Sequence, residues 1–198
     1  LLLFISYYFV GQPENEIQYF QTMTVRGQKS QVVLPDGTKV WLNSESIIEY
    51  PTTFGKKNRE VKIAGEAFFF VAENKSLPFY TKAGNVEIKL TGTSFNLKAY
   101  PDENEVETTL MEGEIELKVP QINSTGSSNT LKMKPGDSYV FNTETNKVLK
   151  SDFKADEING WKNNQLIFKD DNFKALAKKI ERWYAVEMIY NEEELNDQ

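Results

Sequence analysis

Residues Glu112–Val119 alternate without a break: Glu114, Glu116 and Lys118 fall on one side, Ile115, Leu117 and Val119 on the other. A period of two is the mark of a strand with one face in a core and one in water, because successive side chains point to opposite faces. The same pattern recurs along the chain. Val32 and Leu34 alternate with polar neighbours, and Val40 and Leu42 resume the alternation. Between them, Leu34-Pro35-Asp36-Gly37 has Pro at the second turn position and Gly at the fourth, which suits a type I turn. Residues 31–43 therefore read as a hairpin. Val61 and Ile63 alternate, as do Val86, Ile88 and Leu90. Lys134-Pro135-Gly136-Asp137 reads as a type II turn, with Gly136 supplying positive φ, and Tyr139, Val140 and Phe141 continue as strand. Gly37, Gly65, Gly92, Gly113 and Gly136 stand 28, 27, 21 and 23 residues apart at strand junctions. Such even spacing suits a coiled, solenoid-like sheet. Turn glycines recur equally in a sandwich. The expected fold is mainly β, with a solenoid-like or sandwich-like body of short antiparallel strands.

The pattern changes after about Ser151. Leu166, Ile167 and Phe168 read as a short strand, and Asp170, Asp171 and Asn172 offer helix N-cap chemistry. Phe173, Leu176, Ala177, Ile180 and Trp183 then lie on one helical face, with Lys174, Lys178 and Glu181 on the wet side. Val186, Met188 and Tyr190 alternate as a last strand. The expectation is a small strand–helix–strand unit that is incomplete, because one helix on two or three strands buries little area.

Leu1–Val10 is almost wholly apolar, and Gly11, Gln12 and Pro13 end the run. A membrane-spanning helix takes about 20 apolar residues. The run reads either as the outer end of a truncated transmembrane helix, with Tyr7, Tyr8 and Phe9 in the interfacial belt, or as a buried strand. No Lys or Arg follows until Arg26, which fits the non-cytoplasmic side. The expected division is 1–12 for the membrane helix end, 13–150 for the all-β domain and 151–198 for the partial C-terminal unit. Residues 123–129 form a polar loop with an Asn-Ser-Thr sequon, which reads as a chance occurrence.

The 198 residues contain neither Cys nor His. Zinc sites of the Cys/His kind, thiol nucleophiles and His-dependent triads are excluded. A net charge of −6, with 23 basic residues interleaved among 29 acidic ones, speaks against nucleic acid. The 39% hydrophobic content is ample for a packed core.

Several short motifs now fall in order: Leu34–Asn43 (Leu-Pro-Asp-Gly-Thr-Lys-Val-Trp-Leu-Asn), Arg59-Glu60-Val61, Gly65–Phe69, Pro78-Phe79, Gly92–Asn96, Glu112-Gly113 and Pro135-Gly136. In this order and spacing, the chain resembles the FecR-type regulators from about Gln31 to Tyr190. Trp161, Leu166–Phe168 and Arg182-Trp183-Tyr184 resemble the small domain that follows in Bacteroidetes-type members, where it continues through a second strand–helix–strand unit. The resemblance implies a periplasmic domain anchored in the inner membrane by a single N-terminal helix. It implies two partners. One is the N-terminal signalling domain of an outer-membrane TonB-dependent transducer. The other is an extracytoplasmic-function sigma factor, held by a cytoplasmic domain not contained in these residues. Signalling through it would control the sigma factor by regulated proteolysis, with no cofactor and no enzymatic activity.

Individual residues are assigned accordingly. Arg182, Trp183 and Tyr184 are the candidate partner-binding residues, since these residue types are enriched in interface hot spots. Asp36 and Gly37 read as turn chemistry, and Gly65, Gly92 and Gly113 as sites of close approach or unusual φ. Glu66 reads as half of a buried ion pair, with Arg59 as its candidate partner. Phe68, Phe69, Phe95 and Trp41 are expected in the core. Thr93, Asn96, Pro135 and Gly136 complete the family motifs and are expected to be structural, as no catalytic or metal site is expected. Two alternatives remain. A two-carboxylate glycan lyase or hydrolase would need two carboxyls of raised pKa facing across a cleft. A non-catalytic carbohydrate-binding β-domain would need an exposed aromatic row.

Overall fold

The computed structural model describes residues 17–120, 129–153, 155–169 and 171–191. The Leu1–Val10 run, the 123–128 part of the polar loop, and Asp170 lie outside the described residues. Among the described residues, no helix is long and apolar enough to cross a membrane.

Thirteen strands join into one hydrogen-bonded sheet: β1 (Tyr19–Met23), β2 (Ser30–Val33), β3 (Lys39–Leu42), β4 (Ile47–Pro51), β5 (Arg59–Phe70), β6 (Phe79–Ala83), β7 (Val86–Leu90), β8 (Ser94–Ala99), β9 (Glu105–Glu112), β10 (Ile115–Val119), β11 (Asn129–Met133), β12 (Ser138–Asn142) and β13 (Lys147–Ser151). Strand β5 belongs to two halves. Its first half pairs with β4 and, in parallel, with β6, leading on to β1, β7, β10 and β11. Its second half pairs with β3 and β8, leading on to β2, β9, β12 and β13. The switch falls at Gly65, at φ +99°, where a Cβ would lie 2.6 Å from Ser46 Cα and 2.7 Å from the Glu45 oxygen. Only glycine meets both conditions.

The two halves of this curled sheet close on a shared core, as the mainly β expectation requires. Phe69 of the second half stacks on Phe95 at 4.7 Å between ring centroids and meets Phe79 of the first half edge-on at 6.1 Å. Full burial of each such ring is worth about 1.5–3 kcal/mol. The alternation of β7 and β10 is as expected, with Val86, Ile88, Leu90, Ile115, Leu117 and Val119 all buried. The 31–43 hairpin is β2 and β3. Its turn is closed by Gly37 N–H donating to Leu34 O at 2.9 Å, with Gly37 itself at φ +86°. Gly136 stands at φ +90° in the turn before β12.

Phe68 is buried as expected, though outside the main apolar cluster, and Trp41 is only half-buried. Phe68 and Trp41 lie on the outer face of the second half-sheet, in edge contact at 6.0 Å, because even positions of β5 point away from the core. They are covered by the C-terminal unit instead. That unit consists of α1 (Ala155–Asn159), a 3-10 turn (Gly160–Asn163) and α2 (Phe173–Tyr184). Asn172 caps α2 by accepting from Ala175 N–H at 2.9 Å. Leu166–Phe168 and Val186–Tyr190, expected as strands, form no ladder among the described residues. Their side-chain pattern suits a strand, but a ladder needs a neighbouring strand, and two short segments do not sustain a sheet alone.

Candidate interaction site

Helix α2 and the turn before it lie across the outer face of the second half-sheet. Ala177 is buried, and Leu176, Ile180 and Trp183 are half-buried beneath it. The helix end is fixed by Arg182. Its guanidinium donates to Glu103 and Asp102, in the turn after β8, and to Glu45 at 3.2 Å. It also lies over the Tyr100 ring at 3.7 Å. Lys178, one turn earlier, reaches Asp102 at 2.8 Å, and Lys98 of β8 reaches Glu103 at 2.7 Å. The result is a chain of alternating charge across the junction.

The protonation states follow from the partners. Burial alone would raise the carboxyls of Glu103 and Asp102. For Glu103 the neighbouring Lys98 and Arg182, and for Asp102 Lys178 and Arg182, outweigh it and hold both below the ordinary carboxylate range. Burial likewise opposes the charge of Arg182, and Glu103 and Asp102 more than offset it. Glu45 sits at φ +54°, an uncommon region for a residue with a Cβ. Its carboxylate accepts from Arg26 at 2.7 Å as well as from Arg182, so this turn aims one acid at two arginines.

The loop after β1 grips the same helix end. Gly27 N–H donates to Arg182 O at 2.7 Å. Lys29 Nζ lies 3.5 Å over the Trp183 ring and bonds Asn164 Oδ1 at 3.1 Å. Further along, Lys162 Nζ sits 3.1 Å from the Phe68 ring centroid and 5.3 Å from that of Trp41. Burial pushes Lys162 down to about 8.

Of the three residues expected at a partner surface, the fold separates the roles. Arg182 is only 6% exposed and is fully engaged within the chain, Trp183 lies under Lys29, and Tyr184 is 63% exposed. Sequence reasoning missed Asp102, Glu103 and Glu45, whose only local signal is an acidic turn. The expected Glu66–Arg59 pair does not form. Positions 59 and 66 are an odd number of residues apart in one strand, so they face opposite sides of the sheet. Glu66 instead accepts from the amides of Asn43 at 2.8 Å and Asn96 at 3.0 Å. Arg59 points into the core side and pairs with Asp36 at 3.0 Å.

The remaining motif residues act on the backbone. A Cβ on Gly92 would lie 2.7 Å from Glu73 Cα, and one on Gly113 would lie 2.9 Å from Gly92 O and would collide with Thr93. Burial raises the carboxyl of Glu107, on β9, whereas Asp102 and Glu103 are lowered. The three tryptophans form no exposed row: Trp161 is buried, Trp41 lies under Lys162 and Trp183 under Lys29.

The sequence and the fold both have counterparts among known proteins. The family model described as FecR protein matches residues 21–116, and that described as FecR, C-terminal matches residues 165–198. Two crystal structures of a candidate anti-sigma factor from Parabacteroides distasonis, at 1.65 and 2.50 Å resolution, are similar to this chain. The first has a TM-score of 0.76 at 28% identity, covering 84% of this chain and 75% of the other. The second has a TM-score of 0.77 at 28% identity, covering 85% and 76%. Among curated proteins, no sequence matches.

Proposed function

Because the chain belongs to the FecR family, whose role is regulatory, we propose that it is the periplasmic, signal-receiving part of an inner-membrane anti-sigma regulator. It receives its signal from the N-terminal signalling domain of an outer-membrane TonB-dependent transducer. It acts on an extracytoplasmic-function sigma factor through a cytoplasmic domain, and the Leu1–Val10 run is the end of its membrane helix. The division at 1–12, 13–150 and 151–198 gives the anchor, the β domain and the receiving unit. The observation that carries this reading is the order of the two matched regions, with the second mounted on the first through Arg182. No bond chemistry is assigned to the chain.

The receiving surface is the C-terminal unit. Tyr184 touches the partner, while Arg182 and Trp183 hold it in place. A strand of the transducer domain adds to Leu166–Phe168 or Val186–Tyr190, whose backbones have no ladder among the described residues, so that main-chain hydrogen bonds supply affinity. The test is calorimetry between this chain and the signalling domain of the transducer encoded beside it, with an unrelated transducer's domain as control. Selective binding weakened by Tyr184→Ala is expected, with amide protection gained at 166–168 or 186–190. Binding with protection only on helices or loops sinks strand addition, and no binding sinks the relay.

A further inference from the structure

Edge strands of soluble proteins are normally blunted by charge, because an apolar edge invites pairing with other chains. Among the described residues, strand β1 is an edge paired only with β4, and its first two residues put an aromatic ring on each face. Tyr19 and Phe20 are successive residues, so they point to opposite sides, yet they are 49% and 54% exposed. Ile17, just before them, is 56% exposed. Phe20 is not loose, since its ring rests on Tyr50 at 5.6 Å, and Tyr19 lies under Lys62 at 4.9 Å. The turn between β4 and β5 is tied to this end of the strand by Thr52 N–H donating to Gln18 O at 2.9 Å. That turn carries Lys56 and Lys57, both exposed and without an ion pair among the described residues.

We propose that this end of the first half-sheet is a membrane-docking surface. Ile17, Tyr19 and Phe20 enter the interfacial layer of a bilayer, and Lys56 and Lys57 meet anionic phospholipid headgroups. Aromatic rings beside lysines are the composition that the bilayer interface selects. Continuity of the chain supplies the occupant. The apolar run Leu1–Val10 is joined to Ile17 by residues 11–16 alone, which span roughly 20–25 Å at most. If the run lies in the bilayer, β1 is held at its surface. A second copy or an extended peptide would have no such tether. The proposal rests on the reading of Leu1–Val10 as membrane-embedded, and the experiment separates the two.

The chain has no cysteine, so single nitroxide labels report without background. Labels at Gln18→Cys and Asn58→Cys flank the surface and leave it intact, and Glu144→Cys in the β12–β13 turn is the control. The full chain is reconstituted into vesicles of phosphatidylethanolamine with phosphatidylglycerol, and into phosphatidylcholine alone. Flotation reports anchoring. Collision with oxygen against a water-soluble nickel chelate reports lipid contact. The chain is expected to float in both, with a several-fold higher oxygen-to-nickel ratio at 18 and 58 than at 144. That excess should shrink in phosphatidylcholine and on Lys56→Glu with Lys57→Glu, and vanish on Ile17→Ser with Tyr19→Ser. Flotation with all three labels equally wet overturns the docking surface alone. Failure to float overturns docking and anchor together. Spin–spin broadening at 18 without lipid contact assigns the edge to a second copy, and an equal ratio in both vesicles overturns the headgroup assignment.

Discussion

Arg59 and Arg182 are both buried cations, at 1% and 6% exposure, in regions built differently. All five N–H groups of Arg59 are used within the β body. Nε donates to Leu77 O, one terminal nitrogen to Asp36 and Ala72 O, and the other to Asn74 O and Thr91 O. Four of those acceptors are backbone carbonyls, which neither titrate nor leave the chain. The guanidinium thereby joins the β2–β3 turn to the loop between β5 and β6. Arg182 is held by three carboxylates on a surface that its own helix covers, and Asp102 is 56% exposed at the side chain. The contrast separates a fixture of the fold from a fastening between two parts. Carbonyl-bound charge is indifferent to salt and pH, whereas carboxylate-bound charge at a wet boundary responds to both.

The largest expected effect is at Arg59. Arg59→Ala removes a guanidinium that is itself 1% exposed from the Asp36 carboxylate and four carbonyls, and breaking such a buried pair costs about 3–5 kcal/mol. Urea unfolding of the whole body should record it, with Arg59→Lys recovering little because three donors cannot replace five. Arg182→Ala should act on one region only. Amide protection of α2 should fall while the body's unfolding midpoint moves by less than about 1 kcal/mol, since the released acids can reach water. Molar salt should loosen α2 in the parent protein and leave the body unchanged. Equal loss in both regions on Arg182→Ala would erase the distinction.

Much of this contrast was beyond the sequence, and the reasons are specific. Alternation in β7 and β10 was readable because each strand carries its own code of burial. The sheet's corner was half readable: Gly65 announced unusual backbone, but only the paired strands show that β5 changes partners there. The mistaken Arg59–Glu66 pair was avoidable in principle. Period two forbids it once residues 59–70 are taken as one strand, and the glycine at 65 disguised that continuity. Residue type singles out Arg182, but not what it binds within the chain. Its partners lie 79 or more positions back in the chain, and nothing local to the helix points to them. Leu166–Phe168 and Val186–Tyr190, without a ladder among the described residues, make the same point, since a strand's pattern is local and its partner is not.

Acid should divide the two regions by sign. Asp102 and Glu103 have folded pKa values below the ordinary range, so they stabilise the junction above that range. That contribution is lost as pH falls through their folded values. Glu107, on β9, is raised by burial, so its cost to the body is relieved as pH falls through its folded value. Between about pH 5 and 3, α2 should therefore lose amide protection before the body's fluorescence changes. Glu103→Gln should weaken the pH dependence of the first without altering the second. Simultaneous loss would mean that the junction and the body unfold as one unit.

The smallest effect concerns the other end of the junction, under basic conditions. The faces of Phe68 and Trp41 favour the Lys162 cation, but burial disfavours it and prevails, leaving the amine near 8 rather than 10.5. In the window between those values the unfolded chain binds the proton and the folded one does not, so stability rises with pH there. Lys29, over Trp183, is also lowered, by burial ahead of the opposing charge of Glu66, and acts in the same direction. Tyr100 is raised by burial and acts against them only above its ordinary range, so the useful interval is about pH 8 to 9.5. Lys162 is half-exposed, so the gain should be well under the ~1.4 kcal/mol per unit expected of a fully buried group. Amide protection of the 3-10 turn should increase across that interval in the parent protein and stay flat in Lys162→Met. A variant that still tightens with pH would transfer the effect to Lys29. A parent protein that does not tighten at all would mean that the aromatic faces stabilise the cation as strongly as burial opposes it, which would make this end of the junction as insensitive to pH as the carbonyl cage around Arg59.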